Sequence, residues 1–224
     1  MCTVTFLPLS DHSFILTSSR DVGFKREKAA FPAFYREKGV TLYYPKDGKA
    51  GGTWIGTSRN NRLICLLNGG FRNHKRKAHY PKSRGLIVKE LLIAENFESA
   101  CKSINLDMIE PFTLVVVSWE RKLCLFEFVW DGEQRHFRQM DLKPVIWSSS
   151  TLYDERMKQM REHWFEHWLE EGDTSDEAVL DFHKNAGNGD SKTDIFMKRE
   201  KVGTVSITQV IKIENKVDMH YLPF

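Results

Sequence analysis

Short apolar segments separated by turns recur along the chain, and most of them are rich in β-branched and aromatic residues. Runs of this kind, bounded by Gly, Pro, Asn and Asp, predict strands. The predicted strands are residues 3–9, 13–18, 40–44, 53–57, 62–68, 112–119, 122–130, 135–141, 203–213 and 216–222. The valines at 115–117 run without alternation, which predicts a strand that is buried on both faces. Residues 19–52 otherwise contain Pro32, Pro45 and several glycines, so we expect them to be mostly loop.

Two pairs of segments have the periodicity of helices. Residues 84–94 and 97–104 form the first pair, and residues 152–171 give the clearest helix of the chain. The capping box Thr174-x-x-Glu177 opens a further helix. The apolar residues of helix 152–171 recur at spacings of three and four and form one stripe: Met157, Met160, Trp164 and Trp168.

The order of elements is strands, helices, strands, helices and strands, with long hairpins alternating with helix pairs. This order predicts an α+β fold, a four-layer α/β/β/α sandwich of two stacked antiparallel sheets. A chain of 224 residues can bury one substantial core. Because no repeat, low-complexity tract or linker interrupts it, we expect a single domain over residues 1–224.

Composition and charge narrow the class of protein. The composition is that of an ordinary globular protein, and the net charge of +3 is too small to indicate a nucleic-acid partner. The four cysteines are far apart, so they predict neither a zinc knuckle nor a redox motif. Asp11 and His12 interrupt the N-terminal apolar run, and no apolar stretch is long enough to span a bilayer. We therefore expect a cytoplasmic protein with no stable membrane insertion, no metal and no cofactor.

Cys2 follows the initiator Met1 directly and is small enough for methionine removal. Removal leaves one residue with both a thiol and a free α-amine. The thiol is a nucleophile when ionised, and the amine, with a pKa of about 7.7–8, is able to act as its base. Judged by position alone, a small apolar residue at the start of a buried strand is the commoner interpretation of such a cysteine.

Six short motifs, taken in order, resemble those of the NRDE family, also called the transport and Golgi organisation protein 2 family. The Gly-Gly-Thr-Trp stretch is the most specific of them. The resemblance implies a branch of the N-terminal nucleophile hydrolases, near the choloylglycine and penicillin V acylases. The matching motifs are Met1-Cys2-Thr3, Ser19-Arg20-Asp21, Gly51-Gly52-Thr53-Trp54-Ile55-Gly56, Leu67-Asn68, Ser83-Arg84-Gly85 and Gly203-Thr204.

The resemblance implies roles for particular residues. Cys2 would be the nucleophile, Asp21 would hold its α-amine for proton transfer, and the side-chain amide of Asn68 would donate to a developing oxyanion. The implied reaction is hydrolysis of a non-peptide C–N (amide) bond or a thioester bond in a small molecule. The residues expected to bind the substrate are Arg20, Trp54 and Ser149. Without the resemblance, an ion pair or turn cap at residues 20–21, and a packed indole at residue 54, would be the simpler interpretations.

Four positions depart from the family pattern. Ser19 and Val22 replace the first and last residues of the Asn-Arg-Asp-Glu motif, Ser149 stands where relatives carry a second Asn, and Val205 stands where an Arg is frequent. These changes favour an alternative function, a non-catalytic carrier that binds haem or an acylated anion such as acyl-CoA in the same pocket. The family's links to acyl-CoA metabolism and haem handling imply the same ligands.

The basic segment, which we define as residues 72–84, holds six Lys or Arg residues and no acidic residue. Such a segment is often a solvated loop. It also predicts an electrostatic collar for an anionic ligand such as a phosphate, a fatty acyl-CoA or haem propionates.

His163, Glu166 and His167 spell the H-x-x-E-H pattern of inverted zinc peptidases on a predicted helix. A zinc peptidase is therefore a distant alternative. The two histidines lie one position to the side of the apolar stripe, which favours a solvated helix face.

Overall fold

The structure is a computed structural model and describes residues 3–224. Within this range the chain forms twelve strands and four helices. The strands are β1 (Thr3–Ser10), β2 (Ser13–Gly23), β3 (Ala30–Glu37), β4 (Val40–Lys46), β5 (Ile55–Ser58), β6 (Arg62–Asn68), β7 (Phe112–Ser118), β8 (Cys124–Trp130), β9 (Arg135–Met140), β10 (Val145–Ser148), β11 (Val202–Ile213) and β12 (Lys216–Pro223). The helices are α1 (Arg84–Ile93), α2 (Phe97–Ser103), α3 (Glu155–Glu170) and α4 (Asp176–Asn185).

The chain forms two compact units. The first unit combines the residues up to Arg26 with Lys143–Phe224, and the second unit is Glu27–Leu142. The expected single domain over residues 1–224 stays a prediction. No helix among residues 3–224 is long and apolar enough to cross a bilayer.

The first unit is a five-stranded antiparallel sheet in the order β10-β1-β2-β11-β12. Helix α3 packs against β10, and helix α4 packs against β2 and β11. Apolar side chains from the sheet and both helices meet in one core cluster, which removes their surface from water and stabilises the layer. The buried members of the cluster are Leu7, Ile15, Phe165, Val179, Phe182 and Ile195.

The second unit is a seven-stranded antiparallel sheet in which β3 to β9 follow one another in sequence order. Helix α1 packs against β4, β5 and β6, and helix α2 packs against α1. The three valines at 115–117 in β7 are fully buried, as their unbroken apolar run predicts. The more exposed strand expected near residues 135–141 is also present as β9.

Two of the sequence motifs meet in the second unit. The backbone N–H of Thr53 donates to the carbonyl of Gly85 at 3.3 Å. A Cβ atom added at Gly52 would lie 2.6 Å from the carbonyl carbon of Gly85, closer than side-chain carbons pack. Glycine is needed here because only a residue without a side chain allows this approach of two backbones.

Three strand predictions need correction. Residues 30–37 form strand β3 instead of loop; the register of β3 shifts between Ala30 and Ala33, around Pro32, which an edge strand tolerates. Strand β2 continues beyond residue 18 to Gly23, because β11 pairs with it over its whole further length. Strand β10 was not predicted, since its four residues carry too short a pattern.

The predicted helices exist, but two details of their assignment are wrong. The hydroxyl of Ser175, not that of Thr174, caps α4 and accepts a hydrogen bond from the N–H of Ala178 at 3.3 Å. The buried residues of α3 are Arg161 and Phe165, while the methionines and tryptophans of the predicted stripe are half-buried beside them. The centre of the buried face therefore carries a cation.

Candidate active site

The carboxylate of Asp21 is buried near the end of β2 and is held by two hydroxyl groups. Its Oδ2 atom accepts a hydrogen bond from the phenol of Tyr153 at 2.7 Å. Its Oδ1 atom accepts a hydrogen bond from the hydroxyl of Thr204 at 2.6 Å. Hydrogen bonds to an ionised carboxylate stabilise the charge that burial would otherwise penalise.

Strand pairing explains how Thr204 reaches this carboxylate. Thr204 lies opposite Asp21 in the β2–β11 ladder, and the register then shifts between Thr204 and Ser206. Val205 is therefore the extra residue of a bulge, a device that redirects side chains near functional sites. Strand β11 therefore contributes the polar side chain of Thr204 to the surroundings of Asp21. Val205, at the position where the family often has an Arg, is the next residue and lies in the bulge.

Tyr153 connects Asp21 to Ser149. The N–H of Tyr153 donates to the carbonyl of Ser149 at 3.1 Å. The buried hydroxyl of Ser149 shares a hydrogen bond of 3.0 Å with the hydroxyl of Thr151. The turn after β10 thus fixes the position from which the phenol donates.

His183 of α4 lies fully buried against the sheet of the first unit. Its Nδ1 atom is 2.8 Å from the hydroxyl of Ser19, and its Nε2 atom is 2.8 Å from the hydroxyl of Thr5. Burial, and then the nearby charge of Arg161, lower the pKa of His183 to about 3, so the imidazole is neutral at physiological pH. Ser19, one of the departures from the family motif, therefore directs its hydroxyl to a neutral histidine.

Arg20 is buried in β2 beside Asp21 and lies opposite Ser206 of β11. Successive side chains of a strand point to opposite faces of the sheet. The sequence therefore places a cation and an anion next to each other at the end of β2, on different faces.

Asn68 and Trp54 belong to the second unit. Asn68 is the last residue of β6 and is half-buried, and the chain turns at Gly69, whose N–H donates to the carbonyl of Pro111 at 2.9 Å. Trp54 is buried, and its carbonyl accepts a hydrogen bond from the N–H of Leu66 at 2.7 Å. Both expected site residues are thus attached to the same strand, β6.

The basic segment is partly neutralised within the second unit. The carboxylate of Glu110 lies 3.1 Å from Arg84, 3.4 Å from His74 and 3.7 Å from Arg76. Lys82 forms a further ion pair, with Glu90. A surface pocket of about 490 Å³ borders the segment and is lined by Gly70, Phe71, Arg72, Asn73, His74 and Asp131. The role of this segment as a collar for an anion stays a prediction.

His163, Glu166 and His167 are exposed on α3. Among residues 3–224 there is no group of three or more His, Cys, Asp or Glu side chains that could hold a metal ion. Exposure of all three residues fits the solvated face that the sequence favours over a zinc site.

The expected nucleophile, Cys2, lies outside the described residues. The description begins at Thr3, which pairs with Ser19 of β2 on one side and with Ser148 of β10 on the other. The hydroxyl of Thr3 accepts a hydrogen bond of 2.5 Å from the guanidinium of Arg161. Thr3 is therefore held by strand pairing on both sides and by a hydrogen bond from helix α3.

The fold is similar to that of the N-terminal nucleophile hydrolases. The Caenorhabditis elegans ortholog of N-acylethanolamine-hydrolyzing acid amidase matches 93% of this chain and 92% of its own, with a TM-score of 0.60 and 11% identity. The C2A mutant of conjugated bile acid hydrolase from Clostridium perfringens matches 98% of this chain and 92% of its own, with a TM-score of 0.50 and 8% identity. These similarities show the fold and confirm the expected α+β class.

The family follows from the sequence itself. The chain belongs to the Transport and Golgi organisation 2 family, whose model matches residues 1–216. The resemblance drawn from the six motifs is therefore confirmed. No curated protein sequence is significantly similar to the chain.

Four residues of this region were not singled out from the sequence: Tyr153, Arg161, His183 and Thr204. Thr204 appears in the Gly203-Thr204 motif, but nothing in the motif indicates that it contacts Asp21. Arg161 could have been found, because its position falls within the apolar stripe of α3 and a cation there is exceptional. Tyr153 and His183 carry no local signal, since their partners are distant in sequence.

Proposed function

We propose that this protein is an N-terminal cysteine hydrolase that cleaves a non-peptide C–N (amide) or thioester bond of a small molecule. The observation that carries the proposal is the buried Asp21 carboxylate, fixed by Tyr153 and Thr204. A carboxylate in this setting is suited to orienting an amine, because its remaining lone pairs have a defined direction.

The strand register supports a short path between Cys2 and Asp21. Thr3 lies opposite Ser19 in an antiparallel pair. Consecutive Cα atoms are only about 3.8 Å apart, so the residue bonded to Thr3 and the residues that follow Ser19 start from one paired position. Asp21 follows Ser19 by two residues, so we assign it the α-amine of Cys2 as its partner.

In the proposed reaction the thiolate of Cys2 attacks the substrate carbonyl and forms a C–S bond. The α-amine takes the thiol proton and returns it to the leaving amine or thiol as the C–N or C–S bond of the substrate breaks. Water then attacks the acyl-enzyme, which releases the acid and restores the thiol. Asn68 keeps the oxyanion-donor role that the family resemblance implies, and Arg20, Trp54 and Ser149 keep their substrate-binding roles.

The names of similar proteins favour the amide over the thioester. One of them is an N-acylethanolamine-hydrolyzing acid amidase, and another is a bile acid hydrolase whose mutant replaces a cysteine at position 2. We propose an acylated small amine as the substrate class and a cytoplasmic location.

The test compares Cys2→Ala with the control Cys124→Ala, since Cys124 is a partly exposed free thiol in the second unit. Natively expressed protein is first examined by intact mass for loss of Met1. It is then assayed against fluorogenic acyl amides and acyl thioesters of graded chain length. We expect Cys2→Ala to lower kcat by at least about 10³-fold and to abolish the acyl-enzyme mass adduct, with the control unaffected. Retained Met1, or equal turnover by the two variants, would overturn the hydrolase.

One observation favours a second function, the non-catalytic carrier. The hydroxyl of Ser19 is bonded to His183. The family motif has Asn at this position, and Val205 offers no polar group. For the carrier we expect micromolar binding of haem or acyl-CoA that survives Cys2→Ala, together with no turnover of either substrate series. Absence of binding at micromolar concentration would exclude it.

A further inference from the structure

Arg161 is a fully buried cation whose acceptors are all neutral. Its Nη1 atom donates to the hydroxyl of Thr3 at 2.5 Å. Its Nη2 atom donates to the carbonyls of Asp194 at 2.6 Å and Thr193 at 3.1 Å, and Nε donates to Thr193 at 3.3 Å. Within residues 3–224 its guanidinium forms no ion pair with a carboxylate.

A buried charge without a counter-ion is costly, because the protein interior screens it far less than water does. Most buried arginines are paired with a carboxylate. Here four hydrogen bonds to neutral acceptors leave the positive charge in place. An uncompensated charge of this kind acts on every ionisable group nearby.

The same guanidinium lies over the ring of Tyr153, at 3.5 Å from its centroid. The phenol of Tyr153 donates to Asp21 at 2.7 Å. A cation over the face of a phenol favours the partial negative charge that its oxygen gains on donating. Arg161 therefore contacts two residues of the proposed site: Thr3, which follows Cys2 in the sequence, and Tyr153, which donates a hydrogen bond to Asp21.

We propose that Arg161 is a positioning residue of the site. Its guanidinium fixes Thr3 and Tyr153, and its unneutralised positive charge favours the ionised thiol of Cys2 and the neutral α-amine. This inference rests on the proposed function and deepens it, since a thiolate attacks and a neutral amine accepts a proton. The influence of Arg161 on a neighbour is already present in the first unit, where it contributes to the low pKa of His183.

Several other charged or titratable groups of the first unit lie around this cluster, with Arg20 on the opposite face of the sheet from Asp21. Arg20 has the same sign of charge as Arg161, and Asp21 opposes it. His183 is neutral, so its contribution is small. The groups concerned are Arg20 and Asp21 on β2, His183 on α4, and Asp194 and Arg199 in the segment before β11.

The test measures the pH dependence of Cys2 alkylation by iodoacetamide, followed by peptide mass mapping so that other thiols do not contribute. In Arg161→Gln the charge is lost while a side-chain N–H donor remains. We expect the midpoint of the alkylation profile to rise by about one pH unit and the rate at pH 7 to fall severalfold. In Arg161→Lys the charge remains, so we expect less than half of that rise.

The matched control is Arg199→Gln. Arg199 also lies near the Tyr153 ring, at 5.6 Å, but it is only half-buried and donates to carbonyls away from Thr3. We expect its midpoint to equal that of the parent. An unchanged midpoint in folded Arg161→Gln, or equal rises in the Gln and Lys variants, would overturn the proposal. Failure of both Arg161 variants to fold would assign Arg161 to stability alone and overturn it as well.

The outcome also separates this inference from the proposed function. Thiol alkylation is measured without a substrate. A raised midpoint in a protein without turnover would keep the role of Arg161 and reject the hydrolase. Turnover that requires Cys2, with no change of midpoint, would keep the hydrolase and reject the role of Arg161.

Discussion

The hydroxyl of Thr204 in β11 donates a hydrogen bond of 2.6 Å to Asp21 in the neighbouring strand β2. The oxygen of the same hydroxyl accepts a hydrogen bond from the N–H of Met197 at 3.0 Å. Because the N–H of Met197 occupies a lone pair, the hydrogen of Thr204 is directed toward the carboxylate. The position of Asp21 is thus set by a backbone group two contacts away.

Replacing Thr204 by valine should destabilise the protein. Thr204→Val removes one donor to a buried carboxylate and leaves the N–H of Met197 without its acceptor. We expect the free energy of unfolding to fall by about 1–3 kcal/mol, measured by urea titration.

Thr208→Val is the matched control for this change. Thr208 is equally buried in β11, and its hydroxyl has no hydrogen-bond partner in the described part of the chain. We expect its replacement by valine to be neutral or slightly stabilising. Equal losses in the two variants would contradict the role of the Thr204 hydroxyl.

Removing the phenol of Tyr153 should lower the catalytic rate. Tyr153→Phe keeps the ring beneath Arg161 and removes only the donor to Asp21. A hydrogen bond to a charged group contributes about 1.5–3 kcal/mol, so we expect kcat to fall about tenfold to a hundredfold with little change in KM. Steady-state kinetics with the best acyl amide substrate provides the measurement.

Tyr44→Phe removes the same kind of bond, a phenol that donates to a carboxylate, at a position where Asp21 is not the acceptor. Tyr44 donates to the carboxylate of Glu37 at 2.5 Å within the second unit. We expect this variant to lose stability and to keep its kcat. A loss of kcat that is the same in both tyrosine variants would argue against orientation of Asp21 by Tyr153.

The buried His183 should make stability depend on pH. Its folded-state pKa of about 3 lies below the value of 6.5 in the unfolded chain, so the unfolded state binds more protons between these values. The contribution of the neutral imidazole is therefore complete above about pH 6.5 and is lost as pH falls toward 3. We expect a slope of up to about 1.4 kcal/mol per pH unit in this window.

Replacing His183 by Gln removes this titration. The free energies of unfolding from urea titrations at pH 4.5 and pH 7 should differ less for His183→Gln than for the parent. His163→Gln, at an exposed position on α3, should leave the difference unchanged. An identical pH dependence in His183→Gln and the parent would show that the imidazole does not become protonated on unfolding.

The contact between Gly52 and Gly85 should not tolerate a side chain. Gly52→Ala places a carbon 2.6 Å from the backbone of Gly85, and we expect a loss of about 1–3 kcal/mol in thermal or urea unfolding. Gly23→Ala is the control, because its added carbon would lie at an ordinary 3.5 Å from the carbonyl of Lys201. Similar stability of the two variants would mean that the backbones at Gly52 and Gly85 move apart at little cost in free energy.

Local sequence patterns were sufficient to predict most of the strands and helices. Hairpins such as β7–β8 and β11–β12 and helix α3 were predictable because their apolar spacing is long and regular, and α4 was predictable because capping residues precede it. Strand β3 was missed because Pro32 and exposed aromatic residues obscure its pattern: Phe31 is 65% exposed and Phe34 is 76% exposed. Only its pairing with β4 makes this segment a strand.

The sequence by itself determined the family and the residues to consider, since the motifs around Cys2, Asp21 and Asn68 are contiguous and readable along the chain. Only the tertiary structure decided which groups surround Asp21. Tyr153 and Thr204 come from segments more than a hundred residues away, and Arg161 joins Thr3 from a helix whose pattern predicted an apolar face. Contacts of this kind depend on sheet register and helix packing, which are set by the whole core and leave no trace in local spacing.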